Sequence, residues 1–415
     1  MLPALEHHFG SARALSECEH ELQRKLREHG IFFGEGILPT YADAFLASRE
    51  CVARWSAQAE RLVESAELAA HRLVSDPGFF ESMGLSANAV ELVRVDPGYR
   101  RICVFARPDG IPVGQDMKFV EVNSDSPAMM MFLDVVSRCL LELDAFSWLR
   151  EYPKPLSATD RLLDTLLDCY REFGGTRQPT IAITDWEGQK TRFEHARIAE
   201  HFKARGYPTV VCDPRAFCTV GNELHAGDHR IDIVYRRALT AEVIARQAEV
   251  KPLLDAYRDH TICMANPLRS YVAGVKSVLS HLATHGAEEV IPRTILLDGE
   301  DARAIVRRAP ATWVLKKSES HGGEHVILPE PANMIAWQAA LEASAREVWI
   351  AQEYLEVPKL ALSVVEGDEV VRAEKHYNWN PFIFGGTYAG GLVRVSSTPL
   401  INITLGGGLL PTFST

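Results

Sequence analysis

The spacing of apolar positions predicts a helical beginning to the chain. Between residues 41 and 73 apolar side chains recur near the helical period, with Glu, Arg and Gln between them. The pattern predicts one long helix over 41–73 that stops at Asp76-Pro77-Gly78, a turn sequence. We therefore expect residues 1–90 to form a helical layer that supports the rest of the chain.

The pattern changes to strands in the next segment, residues 91–150. Residues 101–105 and 118–123 read as two strands. The segment between them opens with Arg107-Pro108-Asp109-Gly110, whose composition is typical of a turn. The apolar stretch 127–143 that follows predicts a buried helix.

Strands and helices then alternate through residues 151–260. The pattern predicts strands at 180–184, 209–211 and 231–235, and helices at 192–205 and from Thr240 onward. This alternation indicates a small parallel sheet covered by helices. The first strand-to-helix turn lacks the GxGxxG pattern, so a dinucleotide fold is not supported.

The last segment, residues 261–415, carries most of the chemistry. A helix is predicted at 271–285, and the strands 313–316 and 326–328 flank a polar loop that contains glycine. A further strand at 348–352 precedes glycine-rich stretches. Together the four segments predict an α/β (α+β) protein.

Composition and charge narrow the classes of function. Of 415 residues 47% are hydrophobic and 24% charged, as in a globular protein, and 55 acidic against 44 basic residues leave a net charge of −11. That balance argues against a nucleic acid or an anionic membrane as main partner. No apolar stretch reaches the ~18 residues of a membrane span, and the N-terminal sequence is not that of a signal peptide. The eight cysteines lack CxxC spacing, which favours reduced thiols and a cytoplasmic location.

One predicted strand carries a candidate metal site. Strand side chains alternate faces, so Glu121 and Asn123 point the same way. A carboxylate and an amide oxygen on one face suit Mg²⁺ (magnesium), which could lie between them and nucleotide phosphates. The alternative is a strand whose polar face meets solvent.

Two later segments suggest contacts to a nucleotide. Lys316 ends a strand, and the glycines of the following loop would let backbone N–H groups approach phosphate oxygens. An ordinary hairpin with a charged turn is the alternative. The strand 348–352 runs into an acidic segment that could bind a purine edge and ribose hydroxyls, although this signal is very weak alone.

Lys276 stands in Gly274-Val275-Lys276-Ser277, which resembles a Walker A fragment but fails its spacing. The lysine could reach a phosphate or simply extend along an apolar surface to solvent. His281 and His285 share the same predicted helix, and solvated histidines are a better interpretation there than a zinc site.

In their order along the chain, these pieces resemble the circularly permuted ATP-grasp family, which includes glutathionylspermidine-synthase-like proteins. Each motif alone has low specificity, but the set in this order is specific and covers nearly the whole chain. The matching segments are 119–127 (FVEVNSDSP), 231–237 (IDIVYRR), 266–276, 313–323, 352–355 (QEYL), 381–382, 390–395 (GGLVRV) and 406–412 (GGGLLPT).

The resemblance implies a permuted ATP-grasp fold with a small pre-ATP-grasp-like parallel domain and an ATP site. The implied residues for ATP are Lys276, Lys316, Ser318, Gly322, Gly323, Gln352, Glu353, Tyr354 and Leu355. It implies Glu121 and Asn123 as Mg²⁺ ligands. It also implies that Arg101 and Arg394 stabilise negative charge on the transferred phosphoryl group and on an acyl phosphate.

The sequence departs from the family at one position. The related pattern has Arg-x-Asp on the strand before Glu-x-Asn, with that Asp as another metal ligand. Here the predicted strand reads Arg101-Ile102-Cys103, and a thiolate is a poor ligand for Mg²⁺. Glu319 in the phosphate loop could substitute. Otherwise one metal is bound weakly, or activity has been lost.

The expected function is an ATP-dependent ligase that joins a small-molecule carboxylate to an amine through an acyl phosphate. One alternative is transfer of the acyl group to the thiol of a carrier protein, and another is a non-catalytic nucleotide-binding module. Asp125, Tyr235 and Arg236 could hold a zwitterionic or carboxylate substrate, or could form structural ion pairs.

Overall fold

The computed structural model describes residues 9–83, 85–282, 286–320, 323–403 and 407–415. Its N-terminal elements are α1 (Ala12–Glu28), β1 (Phe32–Phe33), β2 (Gly36–Ile37), β3 (Phe45–Ala47), α2 (Arg49–Leu73), α3 (Pro77–Ser82) and α4 (Ala87–Arg94). The predicted helix over 41–73 therefore starts later than expected. Residues 45–47 pair in parallel with a C-terminal strand, and the Ser48 side chain caps α2 by accepting from the Cys51 N–H at 3.1 Å.

The next elements are β4 (Phe105–Val113), β5 (Asp116–Asn123) and α5 (Met130–Glu142). The predicted strand at 101–105 and the predicted turn at 107–110 are wrong, because residues 105–113 form one strand antiparallel to β5. A bulge between Asp109 and Gly110 adjusts the register, and the turn lies at Gly114, whose φ is +64°. Turn-forming residues thus occupy a strand that long-range pairing stabilises.

A parallel sheet follows, as predicted. Its region contains α6 (Ala158–Glu172), β6 (Ile181–Thr184), α7 (Arg192–Ala204), β7 (Thr209–Cys212), β8 (Phe217–Val220), β9 (Glu223–Ala226), β10 (His229–Arg230), β11 (Ile233–Arg236), α8 (Thr240–Ala245), α9 (Lys251–Arg258) and β12 (Cys263–Ala265). The parallel strands run in the order β12-β11-β6-β7. β8, β9 and β10 form a small separate antiparallel sheet.

The C-terminal region adds two more sheets. Its elements are α10 (Ser270–Gly274), α11 (Leu279–Leu282), β13 (Thr294–Leu296), α12 (Glu300–Arg308), β14 (Trp313–Lys317), β15 (Val326–Ile327), α13 (Met334–Ala343), β16 (Trp349–Glu353), β17 (Lys359–Glu366), β18 (Glu369–Phe384), β19 (Thr387–Ser396) and β20 (Gly408–Ser414). The helix predicted at 271–285 is broken after Gly274 and resumes at Leu279, and residues 283–285, with His285, lie outside the described residues.

The largest sheet joins the early and late parts of the chain. It runs β3-β20-β19-β18-β4-β5, with β17 paired to β18, whereas β13-β16-β14-β15 form a separate four-stranded sheet. The early hairpin β4–β5 is therefore held by β18 from the C-terminal region. Within the described ranges, no helix combines the length and the apolar character that crossing a membrane requires.

Phe105 anchors this junction in the core. It is fully buried, and its ring meets Tyr235 of β11 and Phe384 of β18 edge to face, with centroids 5.5 and 5.2 Å away. One aromatic side chain thus packs the hairpin against both the parallel sheet and the large sheet.

Replacing Phe105 by alanine is expected to lower the free energy of unfolding by about 3–5 kcal/mol, because a buried ring is lost and a cavity remains. Urea unfolding followed by circular dichroism measures this change. Ile335→Ala is the control, since Ile335 is 86% exposed and its truncation should change stability by less than about 0.5 kcal/mol. Equal effects of the two substitutions would contradict the packing described above.

Candidate functional site

A cavity of about 470 Å³ opens between the sheet β13-β16-β14-β15, here called the four-stranded sheet, and the large sheet. The four-stranded sheet contributes Val314, Lys316 and Gln352 to its wall. The large sheet contributes polar and charged side chains, among them Asp109, Glu121, Asn123 and Arg394. Strands that are far apart in sequence therefore direct their polar residues into one space.

The register of the β4–β5 hairpin places its acidic and amide groups together. Asp109 pairs with Glu121 across the two strands, and Asn123 pairs with Arg107. The Asp109 carboxylate accepts hydrogen bonds from Arg394 and from the side-chain amides of Asn123, at 3.4 Å, and Asn380, at 3.1 Å. These contacts fix Asp109 at the centre of the wall.

The same register corrects the assignment of the Arg-x-Asp pattern. Arg107-Pro108-Asp109 stands on the strand beside Glu121, whereas Cys103 precedes the strand, is fully buried and donates its N–H to Glu67 at 2.6 Å. The prediction that Cys103 replaces a metal-binding aspartate is therefore wrong. Arg107 and Asp109 had been hidden by their turn-like sequence, although their Arg-x-Asp spacing was a signal that could have found them.

The prediction for Arg101 is wrong as well. Its side chain lies against Gly386 in the turn between β18 and β19, and it does not line the cavity. The arginine that the strand brings into the cavity wall is Arg107. Arg394, the other predicted arginine, does line the cavity.

Lys316 is buried beside the end of β16. Its Nζ donates to Gln352 Oε1 at 2.6 Å and to the Val120 carbonyl at 2.9 Å. Burial lowers the pKa of Lys316 to about 8, because its charged form has lost water and the nearby carboxylates of Glu121 and Asp109 compensate only in part. The positive charge of Lys316 is therefore only partly stabilised by its surroundings.

Lys276 forms an ion pair with Glu121. Its Nζ is 3.1 Å from Glu121 Oε1 and also donates to the carbonyl of Ser320. Burial alone would raise the pKa of Glu121, but the ammonium groups of Lys276 and Lys316 outweigh it and hold that pKa below its usual value. Glu121 is thus ionised between two lysines.

The loop after β14 is tied to the turn that carries Lys276. Ser318 accepts from the Ser277 N–H on its hydroxyl at 3.1 Å and from the Lys276 N–H on its carbonyl at 3.2 Å. Gly323, at φ +80°, lines the cavity close to Leu400. Gly322 lies outside the described residues.

Residues 352–355, which the resemblance implies for ATP and which we call the hinge, all line the cavity at the end of β16. The residues are Gln352, Glu353, Tyr354 and Leu355. The N–H groups of Glu353 and Tyr354 are already bonded, to the carbonyls of Arg293 at 2.8 Å and Thr312 at 2.7 Å. In the described part of the chain no partner is found for the Leu355 N–H, which leaves it as the hinge donor open to a ligand.

The oxygen donors fit a magnesium ion. Asn123 uses its amide nitrogen on Asp109 and on the Arg107 carbonyl, so its amide oxygen remains for a cation. Glu319 borders a second cavity of about 180 Å³ together with Glu121 and Asn123. Among the residues described, three or more His, Cys, Asp or Glu side chains never gather as a metal cluster. Mg²⁺ commonly takes one or two carboxylates and completes its shell with water and phosphate oxygens, which this donor set allows.

The predicted substrate residues Asp125, Tyr235 and Arg236 have partners inside the protein. Asp125 Oδ1 accepts from Arg236 at 2.7 Å and from the Thr240 hydroxyl at 2.6 Å. Burial would raise the pKa of Asp125, but the Arg236 guanidinium and the bonds from Thr240 hold it below its usual value. The Arg236 side chain is fully buried, and Tyr235 OH accepts from Arg237 at 3.1 Å. This geometry agrees with the structural ion pair that the sequence left open.

The far end of the cavity contains an arginine with spare hydrogen-bonding capacity. Arg107 donates from Nη1 to the Ala128 carbonyl at 2.9 Å, and its buried Nε, 3.9 Å from Asp109 Oδ1, has no hydrogen-bond partner among the described residues. Burial lowers the pKa of Arg107. The loop that it contacts is fixed by Glu194, which accepts from the N–H groups of Met129 at 3.1 Å and Met131 at 3.2 Å.

No protein-family model matches the sequence, and no curated protein is significantly similar to it. Among solved structures, a glutathione synthetase-like effector from Globodera pallida superposes on 99% of both chains, with a TM-score of 0.63 and 13% identity.

Two further structures show weaker likeness. A RimK-domain ATP-grasp protein from Sphaerobacter thermophilus matches 54% of this chain and 91% of its own, with 17% identity and a TM-score of 0.31. N5-carboxyaminoimidazole synthetase from Staphylococcus aureus, in complex with ADP, matches 56% and 70%, with 10% identity and a TM-score of 0.30. TM-scores this low do not establish a shared fold. The fold is mixed α/β and of the ATP-grasp type.

The Asp125–Arg236 pair provides a test of its structural role. Asp125→Ala is expected to lower the free energy of unfolding by about 3–5 kcal/mol, because it leaves a buried guanidinium without its counter-charge. Chemical denaturation measures the loss. Asp116→Ala is the matched control, since Asp116 is exposed and its pairing with Arg54 at 3.5 Å should contribute less than about 1 kcal/mol. An Asp125→Ala protein of unchanged stability would favour a role in substrate binding instead.

Proposed function

We propose that this protein is an ATP-dependent ligase that joins a carboxylate to an amine through an acyl phosphate and releases ADP and phosphate. One observation carries the proposal. Lys316, Arg107 and Arg394 line one cavity with the oxygen donors Glu121 and Asn123 and the end of β16, and Lys276 pairs with Glu121. Phosphoryl transfer depends mainly on such positioning and charge neutralisation.

In this proposal the nucleotide occupies the end of the cavity beside β14 and β16. The apolar side chains of Val120 and Val314 would contact adenine, and the Leu355 N–H would bind its edge. Lys276 and Lys316 would then reach the phosphates, which replace their present partners Glu121 and Gln352 in part.

The magnesium ligands would be Glu121 and Asn123, with Asp109 or Glu319 nearby. When bound there, Mg²⁺ would neutralise charge on the phosphate oxygens and make the terminal phosphorus more electrophilic. The chain's own contribution is to keep Glu121 ionised, through Lys276 and Lys316, and to hold Asp109 in place through Asn380.

The proposed chemistry has two steps that need no covalent nucleophile from the protein. A carboxylate oxygen held by Arg107 attacks the terminal phosphorus of ATP, and the bond to ADP breaks. The amine nitrogen then attacks the acyl carbon, loses its proton, and phosphate leaves. Arg394, fixed by Asp109 and by Asn380 at 2.8 Å, is placed to stabilise negative charge in both steps.

Water must be kept out while the acyl phosphate exists, because water would hydrolyse it. We assign this role to the loop after β14, of which residues 318–320 and 323–325 are described; its Gly323 lies near Leu400, and both residues line the cavity. Closure of this loop would complete the site around the phosphates.

We also propose that the ATP-grasp elements are circularly permuted. The strand with Glu121 and Asn123 comes long before the hinge strand β16 in sequence, yet both line one cavity. The name of the glutathione synthetase-like effector agrees with the proposed class of reaction. The non-catalytic alternative rested on Cys103 alone, and the pairing of Asp109 with Glu121 supports Asp109 in its place.

The test of this function is product analysis with ATP, Mg²⁺ and pools of carboxylates and amines. We expect ADP and phosphate to form with one pool, and Glu121→Ala to reduce the rate at least a hundredfold, because it removes a metal ligand and unpairs Lys276. Glu289→Ala is the control, since Glu289 is exposed and pairs only with Arg61 at the surface. Hydroxylamine added in place of the amine should trap the acyl phosphate as a hydroxamate. AMP and pyrophosphate as products would refute the mechanism.

The lowered pKa of Lys316 predicts a pH dependence of nucleotide binding. Below about pH 8 the lysine is charged and the Kd for Mg·ADP should be constant. Above that value the free protein loses the charge, so the Kd should rise by up to about tenfold per pH unit. Titration calorimetry from about pH 7 to about pH 9.5 measures this.

Two variants complete the pH experiment. Lys316→Arg should move the rise in Kd beyond this range, because a guanidinium stays charged. Lys317→Met should keep the wild-type profile, since Lys317 pairs with Glu347 outside the cavity at 3.0 Å. A wild-type Kd that does not change with pH would show that Lys316 does not bind the phosphates.

A further inference from the structure

The end of the cavity that lies away from the hinge has an apolar wall. The wall is formed by Phe33, Ala128, Met129 and Ile403, which all line the cavity. Phe33 comes from the short β1–β2 hairpin near the N-terminus, which none of the sequence motifs includes. The hairpin thus adds a surface to a site that is otherwise built by the sheets.

Charge is scarce at this end. Beyond Arg107, on the side of Phe33, the polar side chains of the described residues that line the cavity include Gln189 and Thr191, which are neutral, whereas on its other side Arg107 Nε lies 3.9 Å from Asp109. The nearby carboxylate of Glu35 does not line the cavity and binds Arg192 on the outside at 2.8 Å. Asp109 is already bonded to Arg394 and to the amides of Asn123 and Asn380. Beyond Arg107 the described wall therefore offers no charged partner to a second ammonium group or a second carboxylate.

The apolar wall is preformed by packing. Met129 and Ile403 are only 6% and 7% exposed and belong to the main hydrophobic core, against which Phe33 and Ala128 pack. The hairpin is held in place because the Gly34 N–H donates to the Lys190 carbonyl at 3.0 Å. A rigid apolar surface of this kind binds a ligand without first having to become ordered.

From this arrangement we infer that the acid substrate has a single carboxylate on an apolar chain, and that Phe33 selects that chain. The inference rests on the proposed function, because it takes Arg107 as the group that holds the carboxylate. Substrates with a second charge at this end, such as dicarboxylates or polyamines, would have to bury it without a partner, which costs binding free energy.

The test is binding of straight-chain carboxylates from acetate to octanoate to the Mg·ADP form of the protein, followed by calorimetry or ligand-observed NMR. We expect the Kd to fall about fourfold for each added methylene until the wall is covered. Phe33→Ala should abolish most of this increment and leave the binding of acetate and of ADP unchanged. Phe33→Leu should give an intermediate increment.

Phe32→Ala is the matched control. Phe32 belongs to the same hairpin, but its ring packs on Phe193 at 5.1 Å and does not line the cavity. It should keep the wild-type increment, and a thermal melt of each variant shows whether the hairpin has remained folded. If Phe32→Ala and Phe33→Ala lose the increment equally, Phe33 is not the specificity residue.

The inference and the proposed function fail in different ways. A Kd that does not change along the series, no detectable binding of any member, or tighter binding of glutarate or spermidine overturns the inference, even if ADP forms with some acid. The expected series without ADP from any acid and amine supports the apolar site and refutes the ligase. The inference and the proposed function both hold if an acid is turned over with formation of ADP and if Phe33→Ala raises the KM for that acid without raising kcat.

Discussion

A surplus of buried positive charge lies at the centre of this structure, and the surrounding architecture is arranged to hold it. The four cations are Arg107, Lys276, Lys316 and Arg394, and the two carboxylates between them are Asp109 and Glu121. Removing charge from water is costly, and only close partners offset that cost. Two carboxylates cannot neutralise four cations, so amide oxygens and backbone carbonyls complete the shell. A polyanion in the cavity would remove the imbalance, which agrees with the lowered pKa of both Lys316 and Arg107.

Holding these charges requires parts of the chain that are far apart. Asn266, at the end of the parallel sheet, illustrates how they are joined. Its side chain accepts from the Phe105 N–H at 2.8 Å and donates to the carbonyls of Phe105 and Ser124. One side-chain amide therefore connects the start of β4 to the end of β5. The hairpin that carries Asp109 is thereby fixed to the parallel sheet on one side and to β18 on the other. The parallel domain therefore positions the site without lining most of it.

The sequence predicted best where local pattern and long-range packing agree. The alternation of strand and helix around α7 and the lysine strand β14 were found because burial and propensity coincide there. The prediction failed at Arg107-Pro108-Asp109-Gly110, whose composition is that of a turn but whose conformation is set by pairing with β5 and β18. It failed again at β3, because the partner strand β20 lies at the other end of the chain. Both failures involve a partner strand hundreds of positions away, β18 for residues 107–110 and β20 for β3, which no local pattern can contain.

The segment from Glu121 to Asp125 shows a second limit of sequence reasoning. Its polar side chains alternate along one face, and all three resemble a single motif. In the structure Glu121 and Asn123 line the cavity, whereas Asp125 forms a buried ion pair with Arg236. The division follows from what faces each position, which is a lysine at Glu121, the Asp109 carboxylate at Asn123 and a guanidinium at Asp125. The motif therefore indicates where the site lies but not which substrate it selects. In our proposal selectivity comes from Phe33, an apolar residue on a separate hairpin that can change without disturbing the charged centre.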